Sequence, residues 1–326
     1  MERGGIWVWT EHHEGAERPV VHELLSRARQ LADRFGKELV ALIAGNNAEK
    51  ASARIKGHPD TILLLEGDPS WAPESSHYLA ALEGLCRRLE PSLILAPNTV
   101  RTMDWMPALA ARLQRGMVSE VTALELTEDA RARVTRPIHG GRFLVELEAE
   151  GPPPHLVAVR PRAFARVPGE REGRLEKLPV EAAEGTRAPE PLERSAQAAE
   201  GPDLAEASIV VAGGRGMGGP DGFSMLEELA RLLGGAVGAS RSVVDSGWRP
   251  ASEQVGKSGK TVSADLYMAF GISGAVHHVM GMDTSRTVVA VNRDPNALIF
   301  QHSDYGVVDD IQEFLPMLIR QLKAEG

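Results

Sequence analysis

Leu266-Tyr-Met-Ala-Phe-Gly-Ile-Ser-Gly-Ala-Val-His-His-Val-Met-Gly-Met282 is the stretch on which the reading of this chain turns. Leu266 to Phe270 form a short apolar run, the pattern of a strand buried on both faces. Gly271 and Ser273-Gly274 interrupt it, and a helical segment carrying His277 and His278 follows. A strand that ends in glycine and serine ahead of a helix exposes backbone N–H groups, a natural seat for a phosphate. A histidine one turn into that helix reaches whatever lies beyond the phosphate. His277 and His278 point about 100° apart on a helix, so they do not form the two-histidine face that binds a metal.

The flanking residues extend the pattern. Ser208 to Ala212 read as a strand, Gly213 to Gly219 as a loop and Phe223 to Leu233 as a helix. Ala236 to Arg241 read as a strand and loop, Thr287 to Val291 as a strand, and about Asp309 to Leu322 as a closing helix. Gly214-Arg-Gly-Met-Gly-Gly219 carries glycines at the first, third and sixth positions of the dinucleotide fingerprint. No strand ending in Asp or Glu follows at the spacing that reads a ribose, so a tight turn built on glycine φ freedom is the favoured reading. Ser240-Arg241 places a hydroxyl and a guanidinium directly after a strand, at the edge where α/β sheets bind ligands. The alternative is a surface arginine. Gln254-Val-Gly-Lys-Ser-Gly-Lys260 is rich in donors but lacks the first glycine of a phosphate loop, which speaks against a nucleoside triphosphatase. Asn292 ends a buried strand, and Asp309-Asp310 open the last helix. The aspartates suit either a nucleotide contact or a helix cap.

The N-terminal part alternates strand and helix, which implies parallel βαβ units. The expected elements are Gly5–Trp9, Val20–Phe35, Glu38–Ile43, Ala48–Lys56, Asp60–Leu65, His77–Leu89, Pro91–Pro97 and Trp105–Leu113. Val118–Leu126, Ala132–Pro137, Gly141–Leu147 and His155–Val159 then read as short strands of an antiparallel extension. Residues 168–203 turn rich in Glu, Ala, Arg and Pro and read as a linker. His12-His13 reads as loop surface. The chain has 326 residues, more than one compact core usually holds, so two domains are expected. A net charge of −9 argues against non-specific nucleic-acid binding and against an anionic membrane surface. No apolar run approaches the roughly 20 residues of a membrane span. Cys86 stands alone, so no intramolecular disulfide forms, and its helical context predicts an inert thiol. With no signal peptide or presequence in the first residues, a cytoplasmic setting is expected.

Taken in order, several runs resemble the α subunits of electron-transfer flavoproteins. They are Val210-Val-Ala-Gly-Gly-Arg-Gly, Val237-Gly-Ala-Ser-Arg, Val255-Gly-Lys-Ser-Gly-Lys, Leu266 to His278, Val289-Ala-Val-Asn-Arg-Asp-Pro and Ile299-Phe-Gln-His-Ser-Asp-Tyr-Gly. The resemblance is dense from Ile209 to the C-terminus. Over residues 1–200 it rests on the domain plan, Arg136-Pro-Ile-His-Gly-Gly141 and Val159-Arg-Pro-Arg-Ala-Phe164. It implies an α/β protein of two domains, each a mostly parallel sheet with flanking helices. Residues 1–203 would be a scaffold contacting a β subunit, and 204–326 a Rossmann-like (DHS-like) domain holding FAD. Arg215, Ser240 and Arg241 would lie near the flavin ring, and the Ser258 hydroxyl near N5, within a loop of Val255, Gly256 and Lys257. His278, beside His277, would hydrogen-bond the pyrimidine edge near O2. Ser273, Gly274 and Ala275 would serve the pyrophosphate, and Asn292 and Asp310 the adenosine end, with Gly271, Val276 and Ile311 also among the cofactor-binding residues. Lys257-Ser258 stands where Gln-Thr is usual, and His277 where Gln is usual; both bear on the flavin potential.

The implied function is electron carriage from a dehydrogenase, of the acyl-CoA type used in fatty acid β-oxidation, towards a quinone oxidoreductase. Arg241 and a protonated His278 would stabilise negative charge on the N1–O2 edge of the reduced flavin. A close variant is electron bifurcation, with a second FAD in the β subunit and NADH as donor. The rivals of other classes are a transhydrogenase-like NAD(P)-binding domain and a non-redox adenine-nucleotide sensor.

Overall fold

The computed structural model describes residues 1, 3–13, 15–55, 57–71, 76–139, 141–181 and 202–325. The chain divides into two compact units, Met1–Ser195 and Ala196–Gly326.

The first unit opens with β1 (Ile6–Trp9), the short hairpin β2 (His12–His13) and β3 (Ala16–Glu17), and α1 (Pro19–Phe35). Pro19 sits in the first turn of α1, where its missing N–H costs nothing, and Gly36 closes the helix at φ 61°. β4 (Leu39–Ala44), α2 (Ala48–Ser52), β5 (Thr61–Glu66), α3 (Ser76–Leu89), β6 (Leu93–Pro97) and α4 (Val100–Leu113) follow. Then come β7 (Met117–Val121), β8 (Ala123–Leu126), β9 (Ala132–Ile138), β10 (Phe143–Glu148), β11 (His155–Val159) and β12 (Arg174–Pro179). The main sheet has seven strands in the order β12-β5-β4-β1-β6-β11-β7, and every pairing in it is parallel. α1 covers one face through Leu24, Leu25 and Leu31. α3 and α4 cover the other through Tyr78, Leu82 and Trp105.

Three sequence expectations change here. The antiparallel extension is only β8, β9 and β10, which form their own three-stranded sheet, while β7 and β11 join the parallel one. The expected linker, 168–203, contains strand β12, paired in parallel with β5, with Leu178 and Val180 reaching the apolar face beneath α3. Its residues 182–201 lie outside the described residues. His12 is no surface residue: it is buried, with Nε2 2.9 Å from the Ala44 carbonyl oxygen.

The second unit comprises β13 (Ile209–Gly213), α5 (Phe223–Leu233), β14 (Ala236–Ala239), α6 (Arg241–Asp245), β15 (Leu266–Phe270), α7 (Val276–Val279), β16 (Val288–Asn292), β17 (Tyr305–Val308) and α8 (Ile311–Glu325). The sheet order is β14-β13-β15-β16-β17, parallel throughout. α5 and α8 cover one face through Phe223, Leu226, Leu315 and Ile319. The other face is covered by irregular chain, with Val255, Val262, Ile272, Val279, Met282 and Ile299 as its apolar contacts. The loops that border the site are thus part of the core.

Candidate functional site

Parallel strands bring all their carboxyl ends to one edge, so the loops after β13, β14, β15, β16 and β17 converge there. Strand order reverses between β13 and β15, where a crevice is expected. Here glycine backbone fills it. Gly214 N–H donates to the Phe270 carbonyl at 2.8 Å and Gly216 N–H to the Gly271 carbonyl at 3.1 Å. A Cβ on Gly214 would stand 2.2 Å from the Gly271 oxygen. Gly214 and Gly216 therefore allow two loops to touch. The segment continues as short 3-10 turns at Arg215–Met217 and Pro220–Gly222 before α5, rather than opening the helix directly.

The loop after β15 carries the unused donors. Gly271 and Gly274 adopt φ 62° and 84°. Ile299 N–H donates to the Ser273 carbonyl at 3.2 Å, anchoring the turn. Among the described residues, none accepts from the backbone N–H groups of Ser273, Gly274 or Ala275. α7 is only four residues long, so attraction for an anion comes from these N–H groups themselves rather than from a helix macrodipole. Val276 is exposed beside them, and so is His277.

A second loop, 254–260, leans on this turn. Lys257 N–H donates to the His277 carbonyl at 2.7 Å, and Val255 N–H to the Ala239 carbonyl at 2.9 Å. Gly256 has φ 139°, and a Cβ there would meet the His277 oxygen at 2.7 Å. The buried Gln254 donates through Nε2 to Ser258 Oγ at 3.0 Å, which aims a hydroxyl that the sequence only nominated. Lys257 is exposed, and no carboxylate among the described residues pairs with it.

His278 is buried, and its Nε2 lies 2.9 Å from the Tyr267 hydroxyl. Burial pulls its pKa down to about 4, against the Val255 backbone, which favours the charged ring. Nδ1 is buried and closes no hydrogen bond of good geometry. In the ligand-free chain burial thus favours the neutral ring at pH 7, a hydrogen-bonding group rather than the expected cation. Tyr267 and Gln254 escaped the sequence reading because each acts through a neighbour.

The remaining expected residues fall into four groups. Arg215 and Arg241 are exposed at this edge; Arg241 Nε pairs with Asp245 at 3.3 Å, while no carboxylate among the described residues pairs with Arg215. Ser240 is buried, its N–H on the Gly213 carbonyl at 3.0 Å and its Oγ 3.1 Å from Ser242 Oγ. Asn292 and Asp310 already serve the fold. Asn292 donates to the Ile272 carbonyl at 2.9 Å and accepts from Asp294 N–H at 3.0 Å. Asp310 accepts from Gln312 N–H at 2.8 Å at the start of α8. Val255 and Ile311 are apolar core at 1% and 5% exposure, so their side chains present no polar group. The carboxyl edge of the first unit holds its own buried carboxylate: Glu11 accepts from the Thr99 and Thr102 hydroxyls at 2.5 and 2.8 Å.

Free N–H groups for a pyrophosphate, exposed cations and a buried histidine with an unused ring nitrogen together fit a dinucleotide with a polar ring system. A family model described as the Electron transfer flavoprotein FAD-binding domain matches residues 203–283. A second, the Electron transfer flavoprotein domain, matches residues 6–183. An electron transfer flavoprotein subunit alpha of Thermoanaerobacterium thermosaccharolyticum is 37% identical, covering 98% of this chain and 97% of that protein. The subunit of the same name from Bacillus subtilis is 34% identical, covering 98% and 97%. Subunit LctC of a lactate dehydrogenase (NAD(+),ferredoxin) from Acetobacterium woodii is 34% identical, covering 98% of this chain and 77% of that protein. The chain belongs to the electron transfer flavoprotein family, as an α subunit, and its cofactor is FAD. That sets aside the nicotinamide-binding and non-redox readings.

Proposed function

We propose that this chain pairs with a β subunit and carries electrons from a dehydrogenase, of the acyl-CoA type, towards a quinone oxidoreductase. FAD supplies the redox chemistry; the chain supplies binding, orientation and a fixed electrostatic surround. The observation that carries the reading is the unused donor row Ser273–Ala275 beside buried His278 at the carboxyl edge. In this reading Ser273, Gly274 and Ala275 hold the pyrophosphate through backbone N–H groups. Arg215, Ser240 and Arg241 border the isoalloxazine, Ser258 directs its hydroxyl at N5, and His278 meets the pyrimidine edge. Asn292 and Asp310 act at the adenosine end by shaping the loops, since their side chains are engaged in the fold. Membrane insertion is not part of the proposal: among the described residues no helix is long and apolar enough to cross a membrane. A cytoplasmic setting is part of it, supported by the single buried cysteine.

The likeness to LctC, whose name includes NAD(+) and ferredoxin, favours one second reading, a bifurcating complex with an additional FAD on the β subunit. The test is the absorption spectrum of the chain co-purified with its β partner, with flavin counted per heterodimer during stepwise dithionite reduction. One FAD that cycles reversibly supports the carrier. Two flavins support the bifurcating variant. A colourless complex that takes up no added FAD overturns both.

A further inference from the structure

Tyr267 sits in the central strand β15 with 0% of its surface exposed. Its neighbours in register are Val210 and Val288, whose side chains offer it no polar atom. Among the described residues its hydroxyl makes one side-chain hydrogen bond, to His278 Nε2 at 2.9 Å. Burial drives the phenol's pKa upward, so the oxygen keeps its proton. A buried hydroxyl proton without an acceptor is strongly disfavoured, and among the described residues the one acceptor it meets is Nε2. The phenol is therefore the donor. A neutral imidazole that accepts at Nε2 carries its own proton on Nδ1. Nδ1 is buried and closes no hydrogen bond of good geometry, although the Val255 backbone lies near enough to favour a proton on the ring.

We propose that Tyr267 is a positioning residue that fixes His278 as the Nδ1–H tautomer, so that the ring offers FAD a donor and not a lone pair. The inference rests on the proposed placement of His278 at the pyrimidine edge, whose carbonyl oxygens are acceptors. With the opposite tautomer, a lone pair on Nδ1 would face a lone pair on the flavin, and the Tyr267 proton would be stranded. Tyr267 thus acts on the cofactor through the histidine, from within the sheet and without touching the flavin.

The test is 15N NMR of the histidine-labelled full chain with its β partner, FAD-free and FAD-loaded, at pH 7.5, with His278→Gln identifying the signals. The expected result is a protonated Nδ1 and a bare Nε2 in both forms. Tyr267→Phe should yield a mixture of tautomers, a shifted flavin absorption spectrum and FAD binding weaker by about three- to tenfold, the effect of one hydrogen bond. These effects should vanish when Tyr267→Phe is combined with His278→Gln, which a purely packing role would not produce. A proton on Nε2 in the wild type overturns the proposal, as does an unchanged tautomer in Tyr267→Phe or an undiminished effect in the double variant. A complex that binds no FAD overturns the functional reading instead, while the nitrogen spectrum still decides the tautomer.

Discussion

Two glycines with the same backbone angle separate the two reasons for glycine at this site. Gly218 and Gly274 both have φ 84°. Nothing lies within 4 Å of a Cβ built on Gly218, whereas one built on Gly274 stands 2.1 Å from Ile299 N and 2.6 Å from Ile299 Cα. Gly218→Ala therefore incurs left-handed strain alone, about 1–2 kcal/mol. Gly274→Ala adds a clash with backbone, which cannot rotate away as a side chain can. Overpacking contributes a further ~1–3 kcal/mol, for a total of roughly 2–5 kcal/mol. Part of that is relieved by moving the Ser273–Ala275 turn off Ile299, which misplaces the donor row. Urea unfolding of the FAD-free chain should order the variants wild type, Gly218→Ala, Gly274→Ala. FAD titration should show at least a tenfold loss for Gly274→Ala, about 1.4 kcal/mol, and little change for Gly218→Ala. Equal loss of stability in the two variants, or full FAD affinity in Gly274→Ala, would refute the reasoning.

His278 should make the stability of the FAD-free chain depend on pH. Its folded pKa, about 4, lies below its ordinary 6.5, so between those values the unfolded chain binds the extra proton. Stability then rises with pH across this window and falls on acidification, by about 3 kcal/mol over the whole range. His12, whose pKa burial also lowers, adds in the same direction, so the measurement is the loss of slope in His278→Gln between pH 4.5 and 7. Cys86, its thiol pushed up to about 12 by burial, should resist a thiol reagent at pH 8 until denaturant is added. Arg249 donates to Glu253 at 2.7 and 2.8 Å and to Glu227 at 2.5 Å, and lies 5.5 Å over the Phe223 ring. Arg249→Ala should cost about 1.5–3 kcal/mol in urea unfolding, and Arg249→Lys should recover only part of it.

The strands and long helices were legible because each is an uninterrupted apolar run or a full helical period. Leu266–Phe270 and Phe223–Leu233 fall where the sequence puts them. β12 was not legible, since Arg174-Leu-Glu-Lys-Leu-Pro179 shows charge on an exposed edge and only its pairing with β5 reveals a strand. His12 was misread for a related reason: a histidine's burial depends on a carbonyl from a distant strand, here Ala44. At the site, the sequence supplied residue types and their order along the edge. It could not supply which polar groups are already engaged. Asn292 reads as a free ligand in the chain, yet both ends of its amide are used in the folded loop. Nor could it supply the state of His278, which follows from burial and from a tyrosine eleven positions earlier.

The glycines of the second unit share a role that residue-by-residue reading obscures. Gly214 and Gly216 rest on Gly271, Gly274 on Ile299, Gly256 on His277, and Gly281 on Gly256, each so closely that a Cβ would fall under 3.0 Å from backbone. These contacts link the loops after β13 and β15 to the 254–260 loop and to the segment after β16. Backbone held against backbone has few alternatives, because no rotamer can absorb a shift. The N–H groups of Ser273–Ala275, the Ser258 hydroxyl and the His278 ring are therefore placed before any ligand arrives. For a protein that passes electrons, that is the useful property. Dipoles already in position need little rearrangement when charge on the cofactor changes, whereas groups on loose loops would have to follow each electron.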